Sequence, residues 1–270
     1  MRNGMMCAGG LLAAAATMGC SGKTEVAPRD LEQIMLDMYA HYDDPAALAL
    51  DIAELEPFLE GEGRTERATE GYTVVDLSDA QTAGVDHPDR DYATLVGAIV
   101  GGMSSFPPID HGVSALEPDQ IWNDPKTLEK YVRTVLSGDA DLFADGEGRV
   151  NTTNDIEKSG AFSVSIPYIL LKDYQWVPSS DGSDVLVARS WVEERGCSEN
   201  GSNCVEASFS LEVFYPDAPT DGSVRVTVSW IDLVTQADSL LTEEARLDLL
   251  VNGQADIFAA MDAHLAGTAE

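Results

Sequence analysis

Periodic patterning begins at Asp30, where Leu31, Ile34, Met35, Met38, Tyr39 and Tyr42 recur at helical spacing and put one apolar stripe on an otherwise polar helix. Asp30 supplies a capping oxygen and Gln33 follows three residues on, as in a capping box. Asp44-Pro45 makes a second cap and first-turn pair, and Leu48, Ile52, Leu55 and Leu59 follow it before Gly61. A helical hairpin is predicted. Gly61 to Gly71 is polar and reads as a loop, and Tyr72 to Leu77 reads as a strand. Asp91 to Gly101 carries Tyr92, Leu95, Val96, Ile99 and Val100 at helical spacing, with Gly101-Gly102 and Pro107-Pro108 as the stop. Asp124-Pro125 opens another such stretch, through Leu128, Tyr131, Val132, Val135 and Leu136 to Gly138. Residues 30–138 are thus expected to be mainly helical.

Past residue 138 and a polar stretch, the period changes from 3.6 to 2. Phe162, Val164 and Ile166 alternate with serines, and Pro167 marks an edge, a bulge or a turn. Val185, Val187, Arg189 and Trp191 alternate next, then Phe209, Leu211, Val213 and Tyr215, then Val224, Val226, Val228 and Trp230. Short connections make these four strands an antiparallel meander, because parallel pairing needs crossovers. From about Thr242 a helix carries Leu247, Leu250, Val251, Ile257, Phe258, Met261 and Leu265, with Asn252-Gly253 as a point where it would divide. The expected class is α+β: a mainly helical N-terminal half, then an antiparallel meander and a C-terminal helix over residues 139–270. The two parts are compatible with a single domain.

The first residues follow another logic. Arg2 precedes an uncharged run from Met5 to Met18, the layout of an export signal. As a helix that run would measure roughly 21 Å at 1.5 Å per residue, short of the roughly 30 Å hydrocarbon core of a bilayer. It ends in Thr17-Met18-Gly19-Cys20-Ser21, which resembles the lipobox of bacterial lipoprotein precursors. The resemblance implies removal of residues 1–19, a diacylglycerol on Cys20, and residues 20–29 as a lipidated tether. With Ser21 after the cysteine, it also implies an address in the bacterial cell envelope, most readily the outer membrane. The alternative is an ordinary secretory signal cut near Ala13 to Ala16.

The cysteines fit an exported protein. Cys7 lies in the leader, Cys20 is the lipidation candidate, and Cys197 and Cys204 remain as a pair flanking a polar Ser-Glu-Asn-Gly-Ser-Asn segment between two strand-like runs. A disulfide closing the mouth of a hairpin is expected there. Their spacing is not the Cys-x-x-Cys of redox or zinc sites.

Charge narrows the partners. With 47 acidic against 16 basic residues, the formal net charge is −31, which disfavours nucleic acid and anionic membrane surfaces. The acids are spread along the chain, as on a solvated surface. Apolar content of 44% over 270 residues suffices for a sizeable core.

Candidate chemistry is sparse. The four histidines, at 41, 87, 111 and 264, accompany no nucleophile elbow. Asp86-His87 and Asp110-His111 are weak metal or acid–base candidates. Asp139, Asp141 and Asp145 outline an acidic turn, but an EF-hand register would put Phe143 and Thr152 at ligand positions, so they are only weak candidates for a metal. No pattern calls for a bound cofactor, and no catalytic residue is nominated.

The order of elements over about residues 160–266, a meander and then a long striped helix, is similar to that of helix-grip domains. The resemblance implies a cavity between sheet and helix and a carrier of a lipid or other apolar ligand. It leaves the N-terminal part unexplained. The expected function is therefore a membrane-anchored envelope lipoprotein serving as a binding or assembly module, with another envelope protein as one candidate partner; the alternatives are a helix-grip-like carrier and, behind it, a cation-dependent hydrolase.

Overall fold

The computed structural model describes residues 30–60, 71–73, 77–89, 92–124, 127–159, 165–235 and 242–267. The leader, the lipobox-like segment with Cys20, most of the Gly61–Gly71 loop, and Phe162 and Val164 lie outside these residues.

The helical hairpin forms where the pattern placed it. Helix α1 spans Leu31–Ala40, capped by Asp30, whose Oδ1 accepts from the Gln33 amide at 2.9 Å. The Gln33 side chain turns forward to Asp37 at 2.8 Å, so only half of the expected capping box is made. Helix α2 spans Pro45–Glu60, and Asp44 Oδ1 accepts from the Ala46 and Ala47 amides. Tyr39, Tyr42, Leu48, Ile52 and Leu55 are wholly buried.

Among the described residues, nine strands form one antiparallel sheet. They are β1 (Gly71–Thr73), β2 (Val96–Ser104), β3 (Leu128–Gly138), β4 (Arg149–Ser159), β5 (Ser165–Pro178), β6 (Asp184–Val192), β7 (Gly196–Cys197), β8 (Cys204–Asp217) and β9 (Gly222–Val234). Their order is β1-β2-β9-β8-β6-β5-β4-β3, with β7 pairing only β8. Short helices α3 (Asp79–Thr82), α4 (Pro108–Ser114) and α5 (Ala140–Ala144) interrupt the strands, and α6 (Glu243–Leu265) ends the fold. The α+β class holds, and the antiparallel meander is longer than the four strands expected.

Two stretches read as helices are strands. In and just before β2, Leu95, Val96, Ile99 and Val100 mimic helical spacing because the strand lies between layers: Ala98, Ile99, Val100 and Gly101 are buried in succession. A strand covered on both faces loses its period of 2. In β3 the inward residues are Tyr131, Arg133 and Val135, and a buried arginine in the middle hides the alternation. Bulges between Leu128 and Lys130 and between Val135 and Ser137 shift the register further. The polar stretch after residue 138 also holds a strand, β4, whose buried Thr152 and Asn154 bond to the Lys172 and Leu170 carbonyls at 3.0 and 2.9 Å.

Pro167 pairs with Glu157 of β4, whereas β6 joins β5 only from Leu170 onward. On that side Gly196 of β7 packs against the Pro167 carbonyl and Tyr168, so the proline lies where the β5–β6 ladder has not yet begun. Asn252-Gly253 does not divide the last helix, which runs unbroken from its Thr242 cap.

The sheet separates two packing layers. Phe209, Leu211, Val213 and Tyr215 of β8, with Val224, Val226, Val228 and Trp230 of β9, pack against α1 and α2 in the main core. The alternate residues face α6. The sheet that α6 packs on thus takes in β2, well before residue 160, and the N-terminal hairpin covers the sheet's other face.

Candidate functional site

Between α6 and the sheet lies a cavity of about 390 Å³. Its apolar wall comes from Tyr131, Ile156, Leu170 and Ile231 of the sheet and from Leu250, Ile257 and Met261 of α6. Most of the predicted α6 stripe is only half-buried, Phe258 being the buried exception. Of that stripe, Leu250, Ile257 and Met261 face the cavity instead of a filled core.

The floor is polar. Thr152, Lys172, Ser190, Ser210 and Ser229 are direct partners on successive strands β4, β5, β6, β8 and β9, and so form one row across the sheet. Glu212 stands one inward position further along β8 and pairs with Lys172, Nζ to Oε1 at 2.7 Å. Burial alone would lower the Lys172 pKa, but the Glu212 carboxylate and the surrounding tyrosines outweigh it and hold the ammonium charged. Ser190 and Ser210 share a hydrogen bond of 2.7 Å. Nearby, the buried Arg133 guanidinium donates to Asn154 Oδ1, the Ala115 carbonyl and Tyr131 Oη at 2.7, 2.8 and 3.1 Å.

At the mouth, Leu233 and Leu249 line the cavity while staying exposed. Thr94 donates to Asp232 at 2.9 Å, and Lys158 pairs with Asp124 at 3.0 Å.

The C-terminal part of α6 is fastened. Phe258 lies so close to β2 that a Cβ on Gly102 would come within 2.5 Å of its ring. Beneath that ring, 4.4 Å from its centre, the buried Arg225 pairs with Asp262 at 3.2 Å. Burial pushes the Arg225 pKa down to about 10 against the opposing pull of Asp262 and Glu212. Asp262 also accepts from Ser104 at 2.8 Å, and His111 of α4 lies 3.1 Å from the same hydroxyl. Serine, histidine and aspartate meet here, yet they form no relay. His111 Nδ1 faces Met261 Sδ at 3.1 Å instead of the carboxylate, and the orienting bond of a nucleophilic triad is missing.

The other sequence candidates are scattered. His41 contacts Asp51 at 2.8 Å, and His87 lies 3.1 Å from Tyr92 Oη. His264 stacks on Trp122 and pairs with Glu117 at 2.8 Å. Asp139 caps α5 through the Asp141 and Leu142 amides; Asp141 and Asp145 begin and close the same short turn. Among the described residues no group of three or more His, Cys, Asp or Glu side chains could hold a metal ion. Cys197 and Cys204 form a disulfide across β7 and β8. Cys20 lies outside the described residues. Sequence reasoning missed Lys172, Glu212 and the serine row. Their signal was present as small polar residues alternating with the apolar set on β8, but such positions ordinarily face water.

No protein-family model matches the chain, and no curated protein matches it. Among solved structures, a STAR-related lipid transfer protein fragment from Xanthomonas axonopodis is 10% identical, covering 66% of this chain and 97% of its own, with a TM-score of 0.42. A protein from Thermus thermophilus is 14% identical over 64% of this chain and 99% of its own, at 0.40. Ara h 8.0201 is 13% identical over 64% and 99%, at 0.36. Nothing about ligand or activity follows from likenesses at this level.

Proposed function

We propose that the chain binds a small, largely apolar molecule in the space between α6 and the sheet. The observation that carries this reading is the cavity of about 390 Å³, within the roughly 300–1,000 Å³ of ligand sites. Protein interiors otherwise pack to crystal density and keep few voids larger than a water molecule. Fastening α6 at its C-terminal part, with exposed leucines at the opposite mouth, leaves a way in and out.

Gly253 offers a test that separates binding from folding. It lines the cavity on α6, and a Cβ there would meet nothing within 4 Å. Glycine inside a helix costs about 1 kcal/mol relative to alanine, so Gly253→Leu should keep or raise the melting temperature while filling the cavity. A titration with the neutral fluorophore N-phenyl-1-naphthylamine should saturate at one equivalent on the full chain carrying Cys20→Ser, and the added Gly253→Leu should abolish it. No saturable binding, or binding indifferent to Gly253→Leu, would rule the reading out.

The lipobox-like segment adds a location to the proposal: a binding domain held at the cell envelope by acyl chains on Cys20. Each buried methylene contributes about 0.8 kcal/mol, so several chains make the anchor effectively permanent. Intact-mass analysis of protein from the native host should show loss of residues 1–19 and an acylated Cys20; an unmodified thiol there would remove the anchor.

A further inference from the structure

What the cavity accepts can be read from its floor, on the premise that it is a ligand site. The row Lys172, Ser190, Ser210 and Ser229 with Glu212 places hydroxyls and an ion pair where the inner face of a sheet would otherwise be apolar. Burying such groups is costly unless their hydrogen bonds are met. Lys172 meets one oxygen of Glu212, Oε1, and Ser190 meets Ser210. Glu212 Oε2 and the hydroxyls of Ser208 and Ser229 take no hydrogen bond among the described residues, and all three residues line the cavity. These half-buried groups stay open to the cavity, so a ligand that displaces water from them must replace its hydrogen bonds, as donor and as acceptor.

We infer that the cargo is a neutral amphiphile whose polar end is a hydroxyl group. The hydroxyl donates to Glu212 Oε2 and accepts from the serine row or from a remaining N–H of Lys172. The apolar body lies under Leu250, Ile257 and Met261. Charged ends fit worse. A carboxylate or phosphate has no proton for Glu212 and meets its negative charge across a poorly screened interior, and an ammonium meets Lys172 in the same way. Arg133 does not reverse this balance, because its hydrogen bonds go to Asn154, Ala115 and Tyr131 and it does not line the cavity; the lining cations Lys158, Lys172 and Arg246 are matched in number by the lining carboxylates Asp124, Glu212 and Asp232. The net charge of −31 further opposes the approach of anions.

Three probes with one tail decide the question: decan-1-ol, decanoate and decylamine, each displacing N-phenyl-1-naphthylamine from the full chain carrying Cys20→Ser at pH 7.5. The alcohol should bind at least tenfold tighter than either ion. Adding Glu212→Gln leaves Lys172 without its carboxylate and takes away the charged acceptor of the hydroxyl, so decanoate should gain at least tenfold while decanol weakens by threefold or more. Decanoate or decylamine binding as tightly as decanol, or none of the three displacing a bound fluorophore, overturns the inference while leaving the cavity a ligand site. Failure of the fluorophore itself to bind removes the ligand site and the inference with it. Should Glu212→Gln not fold, the ratio in the chain with Glu212 intact still decides.

Discussion

At His111 burial and the neighbouring Arg225 guanidinium act together, and they push the imidazole pKa down to about 3. The unfolded chain takes up a proton near the ordinary histidine value of about 6.5, whereas the folded chain does not until about 3. Between these limits the unfolded state binds more protons, so folding stability falls as pH drops from about 6.5 toward 3 and is undiminished by this group above 6.5. Chemical denaturation of the parent and of His111→Gln at pH 7 and pH 4.5 should show a smaller acid loss in the variant, by an amount on the order of 2 kcal/mol. Equal losses would mean that His111 takes up its proton in the folded protein. Arg225 tells the same story from the other sign: a charge is tolerated under Phe258 because Asp262 stands 3.2 Å away.

Among the elements, α6 and the β7–β8 hairpin each depend on one local fastening. For α6 it is the close approach of Phe258 to Gly102, with Arg225 and Asp262 beneath. For the hairpin it is the disulfide from Cys197 to Cys204, a closure of sequence separation 7. A loop this short limits the unfolded chain by about 2–3 kcal/mol. Replacing both cysteines by serine should therefore lower the unfolding free energy by about that amount in a denaturant titration. A change below about 0.5 kcal/mol would show that the cross-link adds nothing to what β7 and β8 already hold.

For the whole molecule the governing influence is charge. At a formal −31, the compact state works against its own repulsion, which salt screens over a Debye length of about 10 Å at 0.1 M. Among the described residues the local ion pairs, such as Arg149 between Asp43 and Asp173, are few beside that surplus. Scanning calorimetry should show the melting temperature rising by several degrees between about 10 mM and 300 mM sodium chloride. A fall would mean that the specific pairs outweigh the general repulsion.

Local pattern sufficed for the α1–α2 hairpin and the last helix through their caps and apolar stripes, and for the disulfide through its place between two strand-like runs. β6, β8 and β9 were legible from one alternating set each, even though β6 is buried on both faces. The same reading failed where that alternation is broken: β2 buries four residues in succession, β3 carries Arg133 inward, and β4 turns Thr152 and Asn154 inward. Tertiary structure alone decided the cavity. Serines on β8 and β9 read as a wetted face, and only the crossing of α6 over that face makes them the floor of an enclosed space. A residue's type records whether it can tolerate water; whether the space before it is solvent, core or ligand depends on which distant segment closes over it.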